Sequence, residues 1–399
     1  MTRTGEAERR IPVSISDAEL ARRWKAVREA MASENLDFLI VQNCTDFLGG
    51  YVKWFTDMPA LHNYPVTVIF PREDDMTTIW SGPMPPAEPN PPAWSLRGVA
   101  KRISTPIIPA LGYTSAFDAE KVVEELSTAG QCRIGLVGLG FISTSFYKHV
   151  TEHLTQATFV DATELVDAIK VIKSPEEMDL IRQVCRDQDA AFEYALTRIE
   201  PGRRDYEIYA DIRHKCMTMG SEQQLIMVGS APRGQPGVMY YEHFGNRVIE
   251  EGDTFTLLIE SNGPSGFYGH LARIVTLGEP PEALVEQVDV AIKVQKVSLD
   301  MMKPGADPKE IWDTNNAALR DFGYPEETRI YAHGQGYDLV ERPSFDSFET
   351  MKVAADMNIA VHPSVVSDQA FGFVCENYFV GETGVEECLH QTPQKVYSL

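Results

Sequence analysis

Hydrophobic and polar positions follow two periods along this chain. From Asp17 to Ser33 the apolar Leu20, Trp24, Val27 and Met31 recur at helical spacing, and "LDFLIVQN" behind them reads as a buried strand. "YPVTVIF" and "MTTIW", separated by the acidic "PREDD", predict a hairpin. A second helix is predicted around Ala119 to Thr128, ahead of the strand "CRIGLVG". Strands and helices in this order predict an α/β domain with a mixed sheet over residues 1–170.

The pattern changes at "IKVIKSPEEMDLIRQ". Ser174, three residues before Glu177, makes a capping box, and Pro175 takes the first helical position, where its missing N–H costs nothing. Met178, Ile181, Cys185 and Phe192 then lie near one face of a long helix expected to pack on the sheet of a second domain, residues 171–399. That domain contains an echo: "EPGRRDYEIYADI" and "KPGADPKEIWDTN" both carry Pro-Gly, with six residues from the proline to the glutamate of Glu-Ile. Each Pro-Gly is expected to end one helix and each Glu-Ile to fall early in the next. The result is a pseudo-twofold α/β domain, two helix pairs over one curved antiparallel sheet.

At 399 residues and 43% hydrophobic content, the chain is long enough for two domains with full cores. Its 58 acidic against 36 basic residues, a net charge of -22, repel phosphate backbones and anionic lipid headgroups, so neither nucleic acid nor a membrane surface is expected as a partner. No apolar run approaches the roughly 20 residues that span a bilayer, and "MTRTGEAERRIPVS" has no apolar signal core; a cytoplasmic location is expected. The six cysteines form no Cys-x-x-Cys pair and read as reduced, buried thiols. "GLVGLG" (Gly135 to Gly140) departs from the dinucleotide spacing and runs into bulky Phe141 and Ile142, so it reads as a strand-ending turn.

Chemistry concentrates in the second domain. "LLIESNGPSGFYGHLARIV" (Leu257 to Val275) reads as two buried strands around a turn, with Glu260 and His270 inside the hairpin. "YAHGQGYDLVERP" adds His333, "NIAVHPSVV" adds His362 and "GFVCENYFVGETG" adds Glu376. Carboxylates and imidazoles are the donors expected for one ion of zinc, iron, manganese or nickel. A lone strand histidine is more often a satisfied core or surface residue, but a buried carboxylate such as Glu376 needs a cation or donors. His62, His149, His153, His214 and His390 lack such settings and read as ordinary.

These residues, with "IKSPEEMDLIR", "NRVIEEGDTFTL" and "CENYFVGETG", make the chain resemble the creatinase, prolidase and aminopeptidase P family over nearly its full length. The resemblance implies the pita-bread fold for the second domain and a homodimer. Peptidases of the family hold two ions with two aspartates, a histidine and two glutamates. Here His333 keeps the histidine position and Glu376 the last glutamate, whereas His362 and His270 replace carboxylates and Glu260 is the nearest equivalent of the first aspartate. Only Glu260 and Glu376 remain to balance charge, so two divalent ions are not expected, and the resemblance leaves either one metal in a histidine-rich site or a metal-free site, as in creatinase. Val340 stands where the family peptidases carry a substrate histidine, and Tyr241 stands at the upstream one, with His243 two residues on.

The resemblance therefore implies a hydrolase that cleaves a carbon–nitrogen bond in a small polar metabolite, similar to creatinase and ectoine hydrolase, rather than a dinuclear peptidase. In that reading His333 or His243 is the base, and Glu260 and Glu376 bind a cationic or amide group. His270 and His362 act as donors or ligands, and Arg233, Tyr240 and Tyr241 line the pocket. One alternative is a mononuclear metal hydrolase or lyase, similar to Xaa-Pro dipeptidase or dimethylsulfoniopropionate lyase, with Glu260, His270, His333, His362 and Glu376 as ligands. The other is a non-catalytic binding protein, against which the retention of reactive side chains counts.

Overall fold

The computed structural model describes residues 13–43, 45–59, 63–82, 93–241 and 245–399. The chain divides into two compact units, Ser14–Lys170 and Val171–Leu399, with Val13 belonging to the second.

The first unit runs α1 (Asp17–Ser33), β1 (Phe38–Asn43), α2 (Gly50–Thr56), β2 (Val66–Pro71), β3 (Met76–Ser81), β4 (Val99–Thr105), α3 (Phe117–Leu126), β5 (Cys132–Val137), α4 (Thr144–His153), β6 (Ala157–Asp161) and α5 (Thr163–Lys170). Ser16 starts α1 by accepting the Glu19 N–H at 3.1 Å, and Leu20, Val27 and Met31 are its buried face. The six strands form one mixed sheet in the order β4-β3-β2-β1-β5-β6, in which β2 and β3 are the antiparallel hairpin read from the sequence. The glycine-rich stretch does close β5. Gly138 turns at φ +69°, and its N–H is taken by Thr163 Oγ1. Gly135 is a packing residue, since a Cβ there would lie 2.6 Å from Ala162 Cβ and from Leu39 Cδ2.

The second unit runs α6 (Pro175–Leu196), α7 (Asp205–Thr218), β7 (Gln224–Ala231), β8 (Tyr240–Tyr241), β9 (Thr254–Ser261), β10 (Leu271–Thr276), α8 (Glu282–Met301), α9 (Pro308–Asp321), β11 (Ala332–Gly334), β12 (Glu341–Ser344), β13 (Asn358–Val361), β14 (Ser364–Val366), β15 (Phe371–Phe373), β16 (Glu376–Val380), β17 (Val385–Cys388) and β18 (Val396–Ser398). Both bonds of the Ser174/Glu177 capping box are present. The two Pro-Gly pairs fall between α6 and α7 and between α8 and α9, with Gly202 at φ +90° and Gly305 at +87°.

The expected single sheet is instead two five-stranded sheets, β18-β10-β9-β7-β8 and β12-β11-β13-β16-β17, plus the β14-β15 hairpin. The two larger sheets meet in one isolated bridge, Ala272 to Cys375. The ladder stops there because the His270 N–H donates to a side chain, Asn377 Oδ1, at 2.7 Å rather than to a backbone carbonyl. Nor is the first sheet wholly antiparallel, for β18 joins β10 in parallel.

Alternation along β9 decides what each face holds. Phe255, Leu257 and Ile259 pack with Ile208 and Ile212 of α7 and Phe192 of α6, while Leu258 packs on the other face with Val288 and Ala291 of α8. Glu260 shares the parity of Leu258, so it points to that inner face.

Because Ala162 Cβ cannot swing aside, Gly135→Ala is expected to destabilise the first unit by about 1–3 kcal/mol. Urea unfolding followed by circular dichroism measures this; an unchanged midpoint would show that the contact at Gly135 relaxes freely.

Candidate active site

The β9–β10 register pairs Leu271 with Ile259, and one further step sets His270 opposite Glu260. Their side chains meet, with His270 Nδ1 3.5 Å from Glu260 Oε1. β11 and β13 pair antiparallel and bring His333 and His362 to the same place. His270, His333 and His362 then offer one ligand atom each, all within 4.8 Å of one another, with ring centroids 4.9 to 6.1 Å apart.

All three imidazoles are buried, and neither ring nitrogen of His270 or of His362 has a hydrogen-bond partner among the described residues. His333 Nδ1 lies 2.9 Å from the Gly334 carbonyl, which can only accept, so Nδ1 carries the proton and the Nε2 lone pair is free. Burial holds His333 down to about 4, against the opposing Gly334 carbonyl and Glu341 charge. Burial also holds His270 and His362 well below the usual imidazole range, helped by the neighbouring histidines. Three neutral imidazoles with unused lone pairs suit a divalent ion, and unpartnered nitrogens buried in this way are costly without one.

Glu260 is the carboxylate beside this cluster. Burial pushes it up to about 8, opposed by the Gln335 Nε2–H donated to Oε1 at 2.9 Å. Gln335 is held in turn by Asn377, whose Nδ2 donates to Gln335 Oε1 at 2.8 Å and to Asn358 Oδ1 at 3.2 Å. Sequence reasoning passed over both amides, and the only signal was their place beside the motif residues His333 and Glu376.

Glu376 has different company. Alternation along β16 puts Glu376 and Tyr378 on the face opposite Asn377. There the Glu376 carboxylate forms a fully buried ion pair with Arg273 and accepts from Gln394, from Gln295 of α8 at 3.1 Å and from the Tyr378 hydroxyl at 3.4 Å. The cation that a buried carboxylate requires is therefore Arg273, and Glu376 is not among the residues that converge on the cluster.

The remaining expected site residues have these settings. Arg233 is exposed and donates to the Glu279 carbonyl, Tyr240 is half exposed, and Val340 is 43% exposed. Tyr241 belongs to β8, while His243 and His62 lie outside the described residues. His390, read as ordinary, is buried: its Nε2–H donates to Gln188 Oε1 at 2.9 Å, and its Nδ1 accepts the Asn377 N–H at 3.4 Å. The five described cysteines are free thiols, and no helix among the described residues is long and apolar enough to cross a membrane.

The mixed α/β fold of this unit agrees with the resemblance read from the sequence. The sequence profile of metallopeptidase family M24 matches residues 179–384, and the chain belongs to that family. An Xaa-Pro dipeptidase of Pyrococcus furiosus is 22% identical over 231 residues, 57% of this chain and 65% of that protein, so the match spans less than two thirds of the relative. An uncharacterized hydrolase/peptidase, y4tL, of Sinorhizobium fredii is 24% identical over 400 residues, covering 96% of this chain and 98% of that protein. Among solved structures, an X-Pro aminopeptidase from Thermotoga maritima superposes with a TM-score of 0.76 at 16% identity, covering 94% of this chain and 99% of that one. The dipeptidase PepE from Mycobacterium ulcerans superposes with a TM-score of 0.77 at 18% identity, covering 97% and 99%. These likenesses establish the fold.

The buried histidines make metal-free protein acid-labile. His390, held to about 3 by burial and by the Arg273 charge, and His333, held to about 4, stay neutral when folded, whereas unfolded histidine protonates near 6.5. Their contribution is complete above about pH 6.5 and is lost as pH falls toward 4. Glu260, raised to about 8, acts in the opposite sense between its unfolded value of 4.5 and 8. Asp118, raised by burial to about 6, acts in the same sense as Glu260, but four histidines against two carboxyls leave stability rising with pH between pH 5 and 6. Calorimetry on chelator-treated protein measures the slope; a flat or falling profile would mean these histidines protonate within the folded chain.

Proposed function

We propose that this chain is a hydrolase that cleaves a carbon–nitrogen bond in a small polar substrate, using one divalent ion held by His270, His333 and His362. The observation that carries the reading is the convergence of three buried, neutral imidazoles, two of which have no hydrogen-bond partner at either nitrogen among the described residues. Family membership supports a hydrolase, and the names of the relatives place Xaa-Pro dipeptides among the compounds to be tried.

When bound, such an ion supplies a Lewis acid that polarises a carbonyl or amidine. The chain's own residues supply the rest. Glu260 adjoins the cluster, and in its ionised form it can take a proton from an attacking water and return it to the leaving nitrogen. Gln335, itself held by the Asn377 amide, fixes Glu260 by donating to Oε1, which leaves Oε2 as the oxygen for proton transfer. Glu376, neutralised by Arg273, takes no part in binding a substrate cation.

The test is a panel of Xaa-Pro dipeptides, N-acyl amino acids, guanidino compounds and cyclic amidines, with release of amine or ammonia as the readout. Turnover of a panel member is expected to vanish on chelation and return with added metal. His333→Ala and Glu260→Gln should each lower kcat/KM by about a hundredfold or more. Full turnover by the metal-free protein would sink the ion reading in favour of acid–base catalysis by the histidines alone.

A further inference from the structure

The centre contains an asymmetry between what it gathers and what it withholds. Among the described residues it gathers three imidazoles and no carboxylate within the set of mutually close ligand atoms. It withholds Glu376, the carboxylate in register with a family ligand, by locking it into the pair with Arg273.

The pair is held from both sides, although Glu376 Oε1 meets Arg273 as an ion pair and has no hydrogen-bond partner among the described residues. Arg273 is 1% exposed, and its guanidinium is saturated on every side. Nε donates to the Pro393 carbonyl at 3.0 Å, Nη1 to those of Ala272 at 2.7 Å and Cys375 at 3.3 Å, and Nη2 to that of Thr392 while also contacting Glu376 Oε1. The other Glu376 oxygen is claimed by Gln295, Gln394 and Tyr378. Turning Glu376 toward an ion would strand a buried guanidinium beside empty space, an arrangement a folded chain does not tolerate.

Resting on the metal reading above, we infer that the centre takes one ion only, of the late first-row class that nitrogen donors favour (zinc, cobalt or nickel), and discriminates against manganese and magnesium. Three imidazoles are borderline donors that suit these ions, whereas manganese and magnesium depend on carboxylate oxygen. A second divalent ion would have only Glu260 to balance it, and one of that carboxylate's two oxygens already accepts from Gln335.

The experiment is equilibrium dialysis of chelator-treated protein against zinc, cobalt and manganese, singly and in competition, with bound metal read by mass spectrometry. The electronic spectrum of the cobalt-loaded protein reports on its ligands. One equivalent of zinc or cobalt, with manganese at least about a hundredfold weaker, is expected. His362→Glu, which adds a carboxylate, should narrow the gap between manganese and zinc by about tenfold or more. Glu376→Gln should leave the cobalt spectrum and the stoichiometry unchanged, because the amide that replaces the carboxylate would still face Arg273.

Two equivalents of metal, manganese binding as tightly as zinc, or a spectrum altered by Glu376→Gln would each overturn the inference while leaving a metal centre in place. No binding of any ion would overturn both this inference and the function proposed above. The wild-type measurements decide the matter even if Glu376→Gln fails to fold.

Discussion

The second unit depends on the side chain of Asn377. Among the described residues its two larger sheets share one isolated backbone bridge, and next to that bridge an amide holds His270 across the gap. Asn377 Oδ1 takes the His270 N–H of one sheet, and Nδ2 reaches Gln335 and Asn358 of the other. A buried amide offsets its desolvation only by completing its hydrogen bonds, and Asn377 does so with groups from both sheets. The same bonds aim Gln335 at Glu260, so the constraint that joins the sheets also fixes the carboxylate beside the histidines.

The chain keeps the family fold with few of its relatives' side chains. The relatives superpose at TM-scores of 0.76 and 0.77 with identities of 16% and 18%, so the backbone is shared while most side chains differ. His270, His333 and His362 bring no negative charge to the inner face, and Arg273 neutralises Glu376. What is left is a centre of low net charge in a strongly acidic protein. Fold alone does not carry function between such relatives; the donor set does.

Much of this was legible in the sequence because local rules and the fold agree. The capping box at Ser174, the Pro-Gly echo and the β2–β3 hairpin each rest on short-range chemistry that tertiary packing left intact. The convergence of His270, His333 and His362 followed from motif positions. The side chosen by Glu376 was not legible, because in a strand one residue of register decides which face a side chain takes. The sequence "CENYF" does not say whether Glu376 or Asn377 faces inward. Nor could spacing reveal His390, whose partners Gln188 and Asn377 lie 202 and 13 residues away. A division into two sheets likewise depends on one N–H preferring a side chain to a carbonyl.

The parallel strand β18 has a consequence for the order of events during synthesis. Arg273 is satisfied by carbonyls of Thr392 and Pro393, Glu376 by Gln394, and β10 by pairing with Val396–Ser398. Until those residues leave the ribosome, β10 has an open edge and its guanidinium lacks two of its acceptors. At roughly 5–20 residues per second, the 120 residues between Arg273 and Pro393 mean about 6–24 seconds before that acceptor is made. During translation the ligand-bearing strands must therefore wait, with their polar groups hydrated, for the final segment to arrive.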